Sequence, residues 1–311
     1  MKQLAMRKLI VVSACFGLAG YALLTSGCSR QAAAGPRPDS QAALELRKQL
    51  QEGGGAAAAA TEGSESTGTG WGTLRGTFKF VGTPPTPGKL DVNKDPEVCG
   101  KGGGLTDNSL TVASDGGIAN IVLYARAKRV HESAQGLPAQ NEAAPIIFDQ
   151  KSCMFLTHVL ACQVNQKVDI KNSDPIGHNT KIDPAKGAAF NQNLPKGESV
   201  LYIPGQEEAT PAGVSCSIHP WMKAYVLPRK DKYFAVTKPD GSFEIANLPA
   251  GEEVEIQVWH ERATGPGGGL VLPNKELKWS NKGRFKVKLE ADKSLDLALE
   301  VPAGAFSGTS K

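Results

Sequence analysis

Cys216-Ser-Ile-His219-Pro-Trp-Met222 places a thiol, an imidazole and a thioether within seven residues, and Asn172-Ser-Asp174-Pro-Ile-Gly-His178-Asn179 supplies a second imidazole upstream. A run this short cannot array all three side chains along one helix face. It fits a loop joining two strands at one end of a β-sandwich, a fold that also returns a strand-end residue such as His178 to the same place.

Two imidazoles, one thiolate and a weak thioether form a donor set suited to copper in a trigonal, axially perturbed site. The thiolate and imidazoles serve both Cu(I) and Cu(II), and the thioether tunes from a distance. These two motifs are similar to those of small blue copper proteins of the plastocyanin and amicyanin type, with the loop length of the amicyanin branch. The resemblance implies a cupredoxin Greek-key β-sandwich in which His178 and His219 are equatorial ligands, Cys216 the thiolate and Met222 the long axial ligand. It makes Asn179 and Ser217 the pair that ties the two ligand loops together. Ala224 departs from the family pattern, which has Gly there; the change touches loop packing more than ligation.

What the resemblance implies for function is a one-electron shuttle with one type 1 copper and a transient redox protein partner. The outer edge of His219 is then the electron port, framed by Ile218, Pro220, Trp221 and Pro175. Catalysis is not expected, because four protein ligands leave no open coordination position and no Ser-His-Asp or paired-carboxylate arrangement is recognisable. A copper carrier or store, and a cell-surface binding module in which copper is incidental, are the readings from other classes.

The wider chain predicts an all-β protein. It has 311 residues with 35 Gly and 20 Pro, and alternating short apolar runs in place of long amphipathic helices. Strands are expected at Thr73 to Val81, Ile118 to Tyr124, Phe155 to Val164, Val168 to Lys171 and Ser199 to Ile203. From Tyr233, the order strand, Asp240-Gly241 turn, strand, Pro249-Ala-Gly251 turn and strand to Trp259 resembles transthyretin-like modules called carboxypeptidase regulatory-like domains. Gly72 to Phe80 and Ala119 to Tyr124 resemble the opening strands of the same module. The copper motifs lie between these halves. The expected layout is therefore 71–142 as the first part of a transthyretin-like sandwich, 143–230 as an inserted cupredoxin-like domain, and 231–303 as the remainder with a C-terminal hairpin (Arg284 to Glu290 with Ser294 to Val301), then a tail, 304–311. Two sandwiches in tandem is the competing layout. Residues 71 to 261 resemble secreted bacterial proteins labelled methylamine utilisation proteins, although nothing in these residues points to amine chemistry.

Lys2, Arg7 and Lys8 precede an apolar run from Leu9 to Leu24 that is short for a bilayer span, so 1–27 reads as an export signal. Leu24-Thr-Ser-Gly27-Cys28 resembles the cleavage box of bacterial lipoproteins, with Thr25 where that box prefers Leu. Cys28 is then the lipid-bearing residue, and an unmodified Cys28 after ordinary cleavage is the alternative. Residues 28–70, rich in Ala, Gly, Ser and Thr, lack the apolar density to fold alone; a coil of about 40 residues spans roughly 35 Å. The protein is expected to be exported, periplasmic or cell-surface, and membrane-anchored. Loss of the three signal cations from the formal +4 leaves a nearly neutral chain, which gives no support for nucleic-acid binding. Lys223, Arg229, Lys230 and Lys232 read as a solvated edge.

Of the six cysteines, Cys15 leaves with the signal, Cys28 is the lipid candidate and Cys216 the ligand. Two of Cys99, Cys153 and Cys162 are expected to pair in an oxidising envelope. The resemblance favours Cys99 with Cys153, because Lys151-Ser-Cys-Met-Phe is similar to the family's cysteine-bearing strand; Cys162 is then a buried thiol. His131 and His260 are read as packing or surface residues, and His158 as a structural residue, with a position near the copper as its alternative. Cys153, His158 and Cys162 cannot chelate together if they share one straight strand.

Overall fold

The computed structural model describes residues 70–274 and 276–307. The export signal, Cys28, the linker and most of the tail lie outside the described residues. The fold is nearly all β, with the strands of one pair of sheets nested in sequence inside those of another. The outer pair holds β1 (Trp71–Val81), β2 (Val122–Arg126), β12 (Phe234–Val236), β13 (Ser242–Pro249), β14 (Glu253–Trp259), β15 (Arg284–Lys288) and β16 (Ser294–Pro302). Its sheets run β13-β1-β16 and β12-β2-β14-β15.

The inner pair holds β3 (Ile146–Lys151), β4 (Met154–Phe155), β5 (Val159–Gln163), β6 (Val168–Asn172), β7 (His178–Asp183), β8 (Phe190–Leu194), β9 (Ser199–Tyr202), β10 (Ala212–Ser215) and β11 (Lys223–Arg229). Its sheets run β4-β3-β6-β9 and β5-β11-β10-β7-β8.

Alternation builds each core. In β1, Leu74, Phe78 and Phe80 turn inward and meet Leu123, Ile256 and Phe285 from the facing sheet. In the inner sandwich, Phe148, Val168 and Ile170 meet Ile182, Val214, Ala224 and Val226. The Asp240-Gly241 turn needs its glycine: φ is +77°, and a Cβ there would stand 2.2 Å from the Phe78 carbonyl oxygen. A third cluster of Val122, Tyr124, Val159, Leu227 and Trp259 joins the two sandwiches.

Four expectations change. β15 and β16 do not form a hairpin: β15 pairs with β14, while β16 crosses to the other sheet and runs parallel to β1. Asp292 turns that corner at φ +58°, its N–H donating to the Trp71 carbonyl at 2.8 Å. The expected strand from Phe155 to Val164 divides into β4 and β5, which belong to different sheets, so Cys153, His158 and Cys162 do not share one strand. Within 71–142, residues 92–105 leave the outer sandwich, and Val92, Val98, Cys99 and Leu105 pack on the inner core. Arg229 is buried rather than solvated, stacked 3.8 Å over the Tyr124 ring and paired with Glu207 at 2.8 Å.

Candidate metal centre

Strand ends of the inner sandwich position the centre. β7 opens at His178, and β10 and β11 are joined by the loop from Cys216 to Met222. Their antiparallel pairing ends at Ser215 opposite Lys223, and two bonds close the loop: Cys216 N–H to Met222 O at 3.3 Å and Met222 N–H to His219 O at 2.9 Å. Thiol, imidazole and thioether are therefore held at one end of the sheet beside the start of β7.

The side chains of His178, Cys216 and His219 converge, their donor atoms all within 4.8 Å of one another. The two Nδ1 atoms are 2.9 Å apart, and the Cys216 Sγ is 3.9 Å from His219 Nδ1. All three residues are buried, as is Met222, which lies in the same apolar cluster as Cys216. The Asn179 N–H points at the Cys216 Sγ at 3.3 Å, a donor that stabilises a thiolate. Asn179 Oδ1 accepts from both the N–H and the hydroxyl of Ser217, at 3.2 and 3.1 Å, which ties the β7 start to the ligand loop.

Both imidazoles are gripped from behind by carboxylates that the sequence reading did not single out. His178 Nε2 is 2.8 Å from Asp174 Oδ2, and His219 Nε2 is 2.8 Å from Asp95 Oδ2. An ionised carboxylate only accepts, so each Nε2 carries the ring proton and each Nδ1 presents a lone pair. Two lone pairs then face each other beside a sulfur, an arrangement that a cation satisfies. Burial, opposed by the Asp174 hydrogen bond, holds His178 below the usual imidazole range and favours the neutral, ligating form. The donor set and its orientation fit copper: the donor atoms of His178, His219 and Cys216 converge, and Met222 is buried in the same cluster as Cys216.

Asp174 is itself fixed, accepting from Ser152 N–H and Cys153 N–H at 2.7 Å each. It lies four residues before His178, within the segment first quoted, so proximity was the available signal. Asp95 had no such signal: it comes from the loop between β1 and β2, 124 residues from His219.

Cys99 and Cys153 form a disulfide, and its sulfurs lie within 4.8 Å of a His219 ring nitrogen. Cys162 is a free buried thiol whose pKa burial pushes up to about 12, so it is inert. His158 pairs with Glu261, and His260 packs on Phe306; neither approaches the centre as a ligand. His131 caps a short 3-10 turn.

The expected port is closed. Pro175 and Pro220 are exposed, and Ile218 and Trp221 are partly so, but His219 has no exposed surface. Asp95 takes its outer nitrogen and the Trp221 ring lies 5.2 Å from its ring.

No family model matches the chain, and no curated protein matches it. Among solved structures, part of the chain is similar to a copper-containing nitrite reductase from Thermus scotoductus, with 21% identity and TM-score 0.26 over 30% of this chain and 25% of that one. A purple cupredoxin from Nitrosopumilus maritimus matches with 23% identity and TM-score 0.24 over 28% of this chain and 100% of that one. Amicyanin from Paracoccus versutus matches with 17% identity and TM-score 0.25 over 33% of this chain and 100% of that one.

Proposed function

We propose that the chain is an exported, lipid-anchored type 1 copper protein that carries single electrons between redox partners. The observation that carries this reading is the convergence of His178, His219 and Cys216, with both rings fixed by carboxylates and the sulfur met by the Asn179 amide. His178, His219 and Cys216 would hold the copper, which would supply one-electron chemistry between Cu(I) and Cu(II). The chain's own part is to hold the donors still: Asp174 and Asp95 fix the imidazoles, the Asn179–Ser217 pair locks the two ligand loops, and the buried surroundings exclude water. Such rigidity keeps one geometry acceptable to both oxidation states.

The test is an absorption spectrum of purified protein with added Cu(II). An intense thiolate-to-copper band is expected, and Cys216→Ser should abolish it; a band that survives the substitution refutes the assignment. Cys28 lipidation is checked by mass spectrometry of protein extracted from membranes.

A second reading has support in the closed edge of His219, which favours a copper carrier or store over a shuttle. Reduction separates them. A shuttle keeps its copper and reoxidises reversibly, whereas a carrier surrenders Cu(I) to a chelator.

A further inference from the structure

The loop that closes His219 has the construction of a flap. Residues 88–107 leave and return through a neck in which Leu90 N–H donates to Leu105 O at 2.8 Å, Asp107 N–H donates to Gly88 O at 2.8 Å, and Lys89 bridges Thr106. Beyond the neck, Asp95 adopts a left-handed conformation, φ +46°, and its carbonyl accepts from Val98 and Cys99 at 3.0 and 2.9 Å. That turn starts α1 (Pro96–Cys99), aims the Asp95 carboxylate at His219 and delivers Cys99 to Cys153.

Little else holds the flap down. Val92, Val98 and Leu105 are only partly buried, and Asn93, Lys94, Pro96, Glu97 and 101–104 face solvent. Segments with few buried apolar contacts open locally at low cost. Here the disulfide opposes opening. The anchor on the other side is firm: Cys153 donates its N–H to Asp174 and accepts from Trp221 Nε1 at 3.1 Å, so Cys153 is built into the centre.

We propose that residues 88–107 are a flap over the copper centre, with Asp95 as the closing contact on His219 and Cys99–Cys153 as its bolt, so that a partner reaches the His219 edge only when the flap is displaced. This rests on the copper reading for its purpose, but not for its geometry. Asp95 is a positioning residue: it acts on the metal through His219, holding the proton on Nε2 and covering the ring edge from which an electron would otherwise leave.

The test reads the flap in the metal-free, full-length protein, so that it is decided separately from copper binding. Carbethoxylation of His219 by diethylpyrocarbonate is followed by peptide mass spectrometry, with His131 as internal reference. His219 is expected to react slowly in the native protein and at least tenfold faster in Asp95→Ala and in the Cys99→Ser/Cys153→Ser double variant, with circular dichroism confirming that both fold. Equal His219 rates in native protein and Asp95→Ala overturn the proposal, whichever way the spectrum of the copper-loaded protein falls. In loaded protein, electron self-exchange should accelerate in Asp95→Ala by at least tenfold, a change that a purely structural contact would not produce; an unchanged rate counts against the flap.

Discussion

The Nδ1 atoms of His178 and His219 face each other at 2.9 Å, each ring held from behind by a carboxylate oxygen at 2.8 Å. The metal-free centre is thus a site of concentrated lone pairs, and cation binding should stabilise the fold. Copper at a thousandfold its dissociation constant adds about 4 kcal/mol. In calorimetry, the native protein should show a raised unfolding temperature with Cu(II), and His178→Ala should lose most of that gain. A full gain in the variant would show that copper binds elsewhere.

Asp174 satisfies three donors at once, the His178 ring and the Ser152 and Cys153 amides, and is 6% exposed. Its removal leaves buried donors unmet, each costing about 1–3 kcal/mol. Asp174→Ala should therefore destabilise the metal-free protein by roughly 3 kcal/mol or more in urea unfolding, and lower copper affinity by about 10–100-fold. Asp174→Asn keeps one acceptor oxygen and should cost less. Equal costs for the two substitutions would show that the acceptor role is unimportant.

The convergence of His178, Cys216 and His219 was legible because chemistry-bearing residues fall close together in sequence, and the carboxylates that grip the two imidazoles were not. Cys216, His219 and Met222 share one loop, and His178 opens the strand that must lie beside it. Asp95 lies in a loop between two strands of the outer sheet pair, and only the fold carries it to His219; no local pattern records a contact over 124 residues. The corner at Asp292 was misread for a related reason. Alternation marks β15 and β16 as strands, yet Ala-Asp-Lys suits a turn within a sheet and a crossing between sheets equally well. Ser152 and Cys153 show the same limit: both take positive φ and fold β4 back onto β3, which no glycine announces.

His260 predicts a pH dependence that does not involve the candidate metal centre. It is 1% exposed, its ring packs on Phe306, and its Nδ1 accepts from the Arg262 amide at 3.2 Å. Burial first, then the nearby His158 and Arg262 charges, push its pKa from 6.5 to about 3. The folded value is the lower one, so the unfolded chain takes up the proton first. Stability is full above pH 6.5 and falls as pH drops toward 3, by up to about 1.4 kcal/mol per pH unit. Urea unfolding at pH 4.5 should therefore show a loss of between about 2 and 3 kcal/mol from this residue relative to pH 7. His260→Gln should flatten the profile by that amount; an unchanged slope would refute the assignment.

Leu227 tests whether the two sandwiches behave as one folding unit. Its side chain is fully buried among Val122, Tyr124, Val159 and Trp259, so it joins β11 of the inner pair to β2 and β14 of the outer pair. The joint is reinforced by polar contacts: the Tyr225 hydroxyl donates to Glu261 at 3.2 Å, His158 bonds the same carboxylate, and the Tyr225 and Trp259 rings meet edge to face at 4.9 Å. A joint built from a shared apolar cluster couples the stabilities of its two sides. The native protein should therefore unfold in one calorimetric transition. Leu227→Ala removes packing at a site that cannot collapse on one side alone, with an expected cost of about 2–5 kcal/mol. It should either lower that single transition or divide it into two, with the less stable sandwich melting first. Two resolved transitions already present in the native protein would show that the sandwiches are joined by contact without being coupled in stability.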